Sequence, residues 1–343
     1  MSSDSSPLEY PLPTLALNRR THLLEGIDGI RVSVPWALDH VNCWLLEEPG
    51  VPDSAGTLVD TGIKNSATRD FWQDTFSELS PHRLLVTHYH PDHAGLAGWF
   101  HERGCSCYSH RFEIALMHDL WATDSEAYVQ EFSNWYLRHG LDEPHIRTVR
   151  KIGQGYRATV VEPPEPSLWE MLSAGDKIQL GSRLFEVMTG HGHAPAMLMF
   201  FCRAENLLIA ADQVLPKISP NISLYPGTAD QNPLGSFLGS LDKLLCLPEN
   251  TLVLPSHGDP FMGLHQRVYA LQEHHEEQLN KLRKNCTAPV QASDVLTTLF
   301  SRKLDAQQMT FALGEAIAHL RFLASTGELV EQQESGKTFF SPT

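Results

Sequence analysis

The chain has 343 residues, of which 42% are apolar and 20% are charged. These fractions exclude a disordered chain, and at roughly 150 residues per domain the length predicts about two domains. The formal net charge is −15, and such an acidic chain is not expected to bind nucleic acid, because phosphate attraction depends on clustered Lys and Arg. The 18 histidines stand out, since histidine is the commonest metal ligand.

The first half of the sequence predicts strands alternating with helices. Residues 1–20 are rich in Ser and Pro and predict a loose arm. Runs of Val, Leu and Ile bounded by Gly, Pro or Asp predict strands at 27–34, 41–46, 57–60 and 83–87. Helices are predicted at 65–79 and 96–102. Residues 110–150 predict a helical insertion, which a Pro-rich break at 162–166 follows.

Strands resume after this break, and the pattern then changes to helices. The later strands are predicted at 177–180, 184–188, 196–202, 207–210 and 251–254, with a helix at 237–247. From residue 263 onward, helices are predicted at 264–285, 292–301 and 305–325, followed by a strand pair at 328–332 and 338–340. The sequence therefore predicts a larger domain at 21–262 and a small, mainly helical domain at 263–343.

The sequence favours a protein of a reducing compartment. The N-terminal residues lack the positive and apolar regions of a secretory signal. No apolar stretch approaches the roughly 18 residues of a membrane span. The six cysteines are thinly spread, so we expect reduced thiols. We therefore expect a cytoplasmic protein that does not enter a membrane.

A dense group of potential metal ligands follows the strand predicted at 83–87. Residues 86–95 read Val-Thr-His-Tyr-His-Pro-Asp-His-Ala-Gly. Side chains two apart on a strand face the same way, so His88 and His90 can reach one ion. Pro91 turns the chain, and Asp92 and His93 begin a helix that displaces them toward a second position. Imidazole and carboxylate ligands suit zinc, and also iron or manganese.

These four residues cannot complete two metal sites, so other segments must contribute. Three candidates each follow a predicted strand, at the end where sites collect in layered α/β folds. They contain His191 and His193, Asp212, and His257. The two oxygens of Asp212 allow it to bridge two cations.

Together, His88-x-His90-x-Asp92-His93, Gly192-His193, Asp212 and His257 resemble the metallo-β-lactamase-fold hydrolases, and Asp60 in the segment Leu58-Val-Asp-Thr-Gly62 adds to the resemblance. It covers about residues 20–262 and implies an α/β fold, an αββα sandwich, with two divalent metal ions at one edge. Zinc is the first expectation, and iron or manganese is the alternative. The resemblance implies one site of His88, His90 and His193, a second of Asp92, His93 and His257, and Asp212 as the bridge.

Several residues have two interpretations. The third ligand of the first site is expected to be His193, which Ala and Pro follow as in the family, with His191 as the alternative. Asp60 is either a satisfied carboxylate at a strand end or, as the resemblance implies, the partner of a ligand histidine. His40 is expected to be structural. Tyr225 either packs or, as in related lactonases, holds the substrate carbonyl.

The resemblance implies a hydrolase in which a hydroxide that bridges two metals attacks a carbonyl, with Asp92 as the proton acceptor. The expected substrate is a small molecule, a thioester, ester or lactone. The aromatic insertion, with Trp121 and Trp135, would give the active site an apolar wall that suits an acyl chain or an aromatic group. The alternatives are a metal-dependent endoribonuclease, a mononuclear-iron persulfide dioxygenase and a catalytically idle binding protein.

The C-terminal domain resembles a winged helix, a tail that also occurs on lactamase-like endoribonucleases. Residues 261–343 contain eight Lys and Arg against nine Asp and Glu, a net charge of −1. This balance argues against reading RNA or DNA. We therefore expect a docking or dimerisation module, with a homodimer as the expected assembly.

Overall fold

The computed structural model describes residues 8–36, 38–48, 56–76, 81–123, 125–152 and 156–343. Two β-sheets form the centre of the larger domain. The first sheet contains, in spatial order, β1 (Arg19–Leu24), β2 (Ile27–Ser33), β3 (His40–Leu46), β4 (Thr57–Val59), β5 (Arg83–Leu85), β6 (Ser106–Ser109) and β7 (Trp169–Met171). The second contains, from one edge to the other, β12 (Leu252–Pro255), β11 (Leu207–Ala211), β10 (Met197–Cys202), β9 (Arg183–Gly190) and β8 (Lys177–Leu180).

Each sheet combines antiparallel and parallel pairs. In the first sheet, β1 to β4 pair antiparallel and β4 to β7 pair parallel. In the second sheet, β8 to β11 pair antiparallel, and β11 pairs parallel with β12. Parallel neighbours end at the same edge of a sheet, so the segments after β4 and β5, and those after β11 and β12, come together in pairs.

The space between the two sheets is filled by alternate residues of wholly buried strands. On β10, Leu198 and Phe200 belong to the cluster that also contains Trp44 of β3, while Met199 and Phe201 belong to the cluster on the opposite face. A two-residue period places successive side chains on opposite faces even when both faces are covered. Burying one such side chain contributes roughly 1.5–3 kcal/mol.

Helices cover the outer face of each sheet. They are α1 (Ser66–Phe76), α2 (Pro91–Ala94), α3 (Ala97–His101), α4 (Arg111–Ala122), α5 (Ser125–Arg138), α6 (Glu143–Ile152), α7 (Tyr156–Thr159) and α8 (Pro233–Leu244). Trp72 of α1 and Phe100 of α3 pack on the first sheet. Phe237 of α8 packs on the second. The layers therefore form the αββα sandwich expected from the histidine motif.

The C-terminal domain packs on the outer face of the second sheet. It contains α9 (Leu264–Asn285), α10 (Leu296–Leu299), α11 (Ala306–Ser325), β13 (Leu329–Glu334) and β14 (Lys337–Pro342). A capping box between Asp305 and Gln308 starts α11. Leu271 and Leu313 share one buried cluster with Phe201 of β10, so the two domains have a continuous core. The winged-helix resemblance stays a prediction.

Three expectations differ from the structure. Glu9 pairs its backbone with Met262 and Leu15 is 2% exposed, so the described part of the arm is packed and not loose, while residues 1–7 lie outside the described residues. The insertion extends to Thr159 as four helices. β1 and β7 were not predicted, because β7 has only three residues and half of β1 is exposed. Residues 77–79 of the predicted helix 65–79 lie outside the described residues.

None of the helices within the described ranges combines the length and the apolar character that a membrane crossing needs.

A chain of polar side chains joins the C-terminal helices to the larger domain. Ser219 donates from Oγ to His275 Nε2 at 3.0 Å, and His275 donates from Nδ1 to His319 Nε2 at 3.2 Å. His319 donates from Nδ1 to the Glu315 carbonyl at 2.8 Å. Each ring nitrogen of His275 and His319 has a hydrogen-bond partner only while both histidines are neutral.

We expect the His319→Gln variant to lose less stability in acid than the wild type does. Burial lowers the pKa of His275 to about 2 and that of His319 to about 4. Below about pH 6.5 the unfolded chain protonates both histidines and the folded chain does not, so the free energy of unfolding falls as the pH falls. Glutamine does not bind a proton in this range, so the variant lacks the contribution of His319. The free energy of unfolding of the variant should therefore change less with pH, by up to about 1.4 kcal/mol per pH unit. Urea unfolding of chelator-treated protein between about pH 4.5 and 6.5 measures this slope. Equal slopes would contradict the prediction.

Candidate metal site

The candidate ligands meet at the edge of the sandwich where strands of both sheets end. His88 and His90 follow β5, and Asp92 and His93 lie in the short helix α2. The second sheet contributes the other three residues, each just after a strand: His193 after β9, Asp212 after β11 and His257 after β12. Ala211 has a φ of 47°, an uncommon left-handed conformation directly before Asp212.

Seven side chains form overlapping groups whose ligand atoms lie within 4.8 Å of one another. The three groups are His88, His90 and His193; Asp92, His93 and His257; and His88, His93 and Asp212. Asp212 lies between the first two groups, because its Oδ2 is 3.3 Å from His193 Nε2 and its Oδ1 is 3.5 Å from His257 Nε2. These are the seven side chains that the sequence predicts as metal ligands, and the structure brings them together.

The donor atoms have the spacing and the lack of partners that fit a metal ion. Two atoms each about 2.0–2.2 Å from one tetrahedral ion are about 3.3–3.6 Å apart. His257 Nε2 lies 3.5 Å and His93 Nε2 lies 3.6 Å from Asp92 Oδ2. The Nε2 atoms of His93, His193 and His257 and Oδ1 of Asp212 are buried without a hydrogen-bond partner. Divalent cations therefore fit this site.

Asp60 orients two of the ligand histidines. Its carboxylate accepts hydrogen bonds from Thr87 N, Thr87 Oγ1 and His93 Nδ1, each at 2.8 Å. Because the Thr87 hydroxyl donates to Asp60, it accepts from His88 Nδ1 at 3.0 Å. Both imidazoles thus turn Nε2 toward the other candidate ligands: that of His93 has no hydrogen-bond partner, and that of His88 lies 2.9 Å from His90 Nδ1. Orienting these rings is the role for Asp60 that the resemblance implies.

Backbone carbonyls orient the other two imidazoles that use Nε2. His193 donates from Nδ1 to the Asn221 carbonyl at 2.9 Å, and His257 donates from Nδ1 to the His40 carbonyl at 2.6 Å. The His40 ring is itself held, because its Nε2 accepts from Gly258 N at 2.9 Å. His40 therefore lies beside the site as a structural residue.

His191, the alternative third ligand, is outside the cluster. Its Nδ1 donates to the Pro195 carbonyl at 2.6 Å, and its Nε2 is 3.3 Å from Thr189 Oγ1. Gly192 has a φ of 98° and lies so close to α8 that an added Cβ would be 2.5 Å from Phe237 Cβ. This glycine turns the chain between the two histidines, and only His193 faces the other ligands.

The electrostatics of the site separate its histidines into two kinds. Burial and the neighbouring imidazoles hold the pKa of His88 and of His90 well below its usual range. Burial also opposes the charge on His93, but Asp92, Asp212 and Asp60 outweigh it and raise the pKa of His93 well above the usual range. Burial opposes the charges of Asp212 and His257 as well. Attraction nevertheless raises the pKa of His257 and lowers that of Asp212 well below its usual range. A cation would take the place of the protons on His93 and His257.

A buried glutamate that the sequence analysis missed ties two ligand loops together. Glu113 of α4 is fully buried, and its Oε2 accepts from Tyr89 N at 3.1 Å while its Oε1 accepts from Ala196 N at 2.6 Å. Tyr89 lies between His88 and His90, and Ala196 follows the His193 loop. Burial raises the pKa of Glu113 to about 7, against the lowering effect of these hydrogen bonds.

The aromatic residues proposed for substrate binding have different surroundings. Trp135 packs against His139 and the guanidinium of Arg321 on α11. Trp121 contacts the guanidinium of Arg157. A place for either tryptophan in the active-site wall stays a prediction. Tyr225 lies close, because its hydroxyl accepts from Asn221 Nδ2 at 3.1 Å.

Other aromatic residues of the insertion reach this tyrosine. Phe132 of α5 has its ring centroid 5.8 Å from that of Tyr225 and 4.4 Å from that of Tyr128. Phe132 and Tyr128 thus form one aromatic cluster with Tyr225. They lie one helical turn apart on α5, so they share one face of that helix.

Residues 36–257 match the family described as the metallo-beta-lactamase superfamily, a match that spans well over half of the chain. The chain belongs to the metallo-beta-lactamase superfamily. Residues 279–343 match a second family, described as the metallo-beta-lactamase-like C-terminal domain. Both domains thus have counterparts within the superfamily.

Similar proteins support this membership over nearly the whole length. The probable metallo-hydrolase YqjP of Bacillus subtilis (strain 168) is 23% identical over 338 residues, covering 92% of this chain and 98% of that protein. A beta-lactamase domain protein from Burkholderia ambifaria has a TM-score of 0.88 and 36% identity, and the match covers 98% of both chains. A metallo-beta-lactamase family protein from Thermus thermophilus has a TM-score of 0.78 and 29% identity, covering 93% of this chain and 99% of that one. The chain is a metallo-hydrolase of this superfamily.

We expect Glu113→Gln to weaken both the fold and the site. The amide has one acceptor oxygen, so its NH2 group would face one of the two backbone N–H groups that Glu113 now binds. A buried unpaired donor costs about 1–3 kcal/mol, which urea unfolding measures. Zinc affinity should fall as well, because the loops of His88 and His193 lose their common anchor. Glu126→Gln, at an exposed position in the first turn of α5, is the control. Equal stability of the two variants would contradict this role.

Proposed function

We propose that the chain is a binuclear metal-dependent hydrolase that cleaves a thioester, an ester or a lactone with an apolar acyl or aromatic part. The observation that carries the proposal is the position of Asp212 between two groups of three potential metal ligands. Its Oδ2 lies 3.3 Å from His193 Nε2 and 3.7 Å from His93 Nε2, and its Oδ1 lies 3.5 Å from His257 Nε2. Its carboxylate therefore reaches both groups, as a bridging ligand must. Zinc is the metal we propose, since imidazole and carboxylate ligands suit it.

Ions bound at the two groups would lower the pKa of a water molecule toward 7 and polarise the substrate carbonyl. Asp92 is the proton acceptor we propose. Its carboxylate lies 3.5 Å from His257 Nε2 and is 12% exposed, whereas the His93 side chain is fully buried, and both observations support this choice. Asp212 and the four imidazoles whose Nδ1 atoms are hydrogen-bonded would hold the ions in place during the reaction.

The proposed substrate class follows from the surroundings of Asn221 and from one relative. Tyr225, Phe132 and Tyr128 form an aromatic surface next to the residue that holds His193. Such a surface suits an acyl chain or an aromatic group. A hydroxyacylglutathione hydrolase from Ruegeria pomeroyi is 28% identical over 128 residues, covering 36% of this chain and 47% of that protein, and its name supports a thioester among the candidate substrates.

Three of the eight basic residues in 261–343 are already engaged within the protein, which favours this proposal over a ribonuclease. Arg267 donates to the Leu215 and Ile218 carbonyls, and Arg283 pairs with Glu276 and Glu328. A further arginine, Arg321, pairs with Glu331. Guanidinium groups already engaged in this way add little to the attraction of a phosphate backbone.

Metal analysis tests the binuclear site. We expect about two zinc ions per chain in protein purified without added metal, and a value near one in His257→Ala, because His257 belongs to only one of the two outer groups. Elemental analysis with the protein concentration from amino-acid analysis gives the ratio. One iron per chain, unchanged in His257→Ala, would instead support the mononuclear oxygenase.

Turnover of Asp92→Asn tests the reaction. We expect a loss of about 10²–10⁴ in kcat, the usual contribution of a positioned proton acceptor, with part of the metal retained. The assay uses acyl thioesters of increasing chain length, aromatic esters, lactones and RNA, so that it also separates the substrate classes. Wild-type kcat in a variant that holds both metals would contradict the role of Asp92. Cleavage of RNA alone would overturn the proposed substrate class.

Two further expectations stand as proposals. All six cysteines are free thiols and five are buried, which supports a reducing, cytoplasmic location. A homodimer stays a prediction, which sedimentation at several protein concentrations would test.

A further inference from the structure

The segment after Asp212 connects the metal ligands to the C-terminal domain. We call residues 213–225 the Asn221 loop. Its Asn221 carbonyl accepts the Nδ1 hydrogen bond of His193 at 2.9 Å. We propose that the C-terminal domain is a positioning element for the metal site, which holds the Asn221 loop and so sets the affinity of the His88, His90 and His193 group for its ion. The proposal rests on the metal site of the proposed function and goes beyond it, because it gives the second domain a role.

Helix α11 holds the end of the Asn221 loop. Leu224 donates its backbone N–H to the Gly314 carbonyl at 3.1 Å. The Ser223 hydroxyl donates to Asn221 Oδ1 at 2.7 Å and lies 3.2 Å from the Phe311 carbonyl. These contacts fix the backbone immediately beside the carbonyl that orients His193.

The contact between α11 and the loop depends on a glycine. A Cβ added to Gly314 would lie 2.8 Å from both Cβ and Oγ of Ser223 and 3.1 Å from Tyr225 Cε1. Real side chains almost never approach this closely, so any other residue at position 314 must push the loop away from the helix. Glycine is a poor residue for a helix interior, and this close approach is a physical reason for its presence in α11.

Helix α9 holds the earlier part of the same loop. Arg267 donates from Nε to the Leu215 carbonyl at 2.5 Å and from Nη2 to the Ile218 carbonyl at 2.8 Å. Ser219 donates to His275, which joins α9 to α11. Two helices of the C-terminal domain thus fix the loop on both sides of Asn221.

A displacement of the Asn221 loop would affect a bound ion through the imidazole of His193. His193 Nε2 is buried without a hydrogen-bond partner, so the Nδ1 bond to the Asn221 carbonyl is the hydrogen bond that sets the direction of this ring. Partners that orient a ligand histidine typically change metal affinity by about 10–100-fold when they are lost. A displaced loop should therefore weaken the ion at His193 and leave the Asp92, His93 and His257 group unaffected.

The experiment measures zinc binding in the full-length chain. In the His257→Ala background, which leaves His88, His90 and His193 complete, the zinc dissociation constant is obtained by competition with a chromogenic chelator. Gly314→Ala should raise this constant about tenfold or more. Alanine is the better helix former, so a weaker helix would not be the cause. Gly239→Ala on α8, where the added Cβ meets no atom within 4 Å, is the matched control and should leave the constant unchanged.

A second variant, Ser223→Ala, changes the Asn221 loop itself and leaves the sequence of α11 unchanged. Ser223→Ala removes the hydrogen bond to Asn221 Oδ1 and should also raise the constant about tenfold. It decides the question if Gly314→Ala does not fold, as judged by circular dichroism. A constant equal to that of the parent in the folded variants would overturn the proposal. The measurement reads zinc binding and not turnover, so a failure to hydrolyse any substrate would overturn the proposed function and leave this inference standing.

Discussion

The structure depends on one constraint, which is that three imidazoles of the candidate metal site each keep one buried nitrogen without a hydrogen-bond partner among the described residues. An unpaired buried polar atom costs about 1–3 kcal/mol, so such a group is stable only if something else satisfies it. At His93, His193 and His257 the unpaired Nε2 atoms converge on the two carboxylates Asp92 and Asp212. The other nitrogen of each ring is bound, so the rings cannot turn to find partners of their own. Cations are the natural completion of this arrangement.

Each layer of the molecule supplies one of the supports that keep these rings in place. The first sheet contributes Asp60 and the His40 carbonyl, and the helical insertion contributes Glu113. The C-terminal domain acts through Asn221, which belongs to the larger domain but is held by α9 and α11. The C-terminal domain and the insertion therefore do more than cover the sandwich, because side chains or backbone groups of both contact the backbone next to a candidate ligand.

The ligands could be predicted from the sequence and most of their supports could not, for physical reasons. His88 to His93 lie within six consecutive residues, and the remaining candidate ligands each lie shortly after a strand, so both signals are local. The Asn221 carbonyl carries no signal at all, since every residue has one, and Glu113 lies in a helix where glutamate is usually solvated. β7 has only three residues and pairs with a strand more than 60 positions away. The sequence also does not show which aromatic residue of α5 lies beside Tyr225, which in the structure is Phe132.

The ligands are divided between the two sheets, and this division has a consequence for synthesis. The first sheet provides four of them early in the chain, whereas the second provides the last, His257, near the start of the C-terminal domain. During synthesis on the ribosome, His88 and His90 emerge long before His257, which completes the group of Asp92, His93 and His257. The full set of donors exists only after both sheets have been made and packed together. Metal uptake would then mark a finished sandwich, and a chain truncated before residue 257 would lack a ligand however well its first sheet had folded.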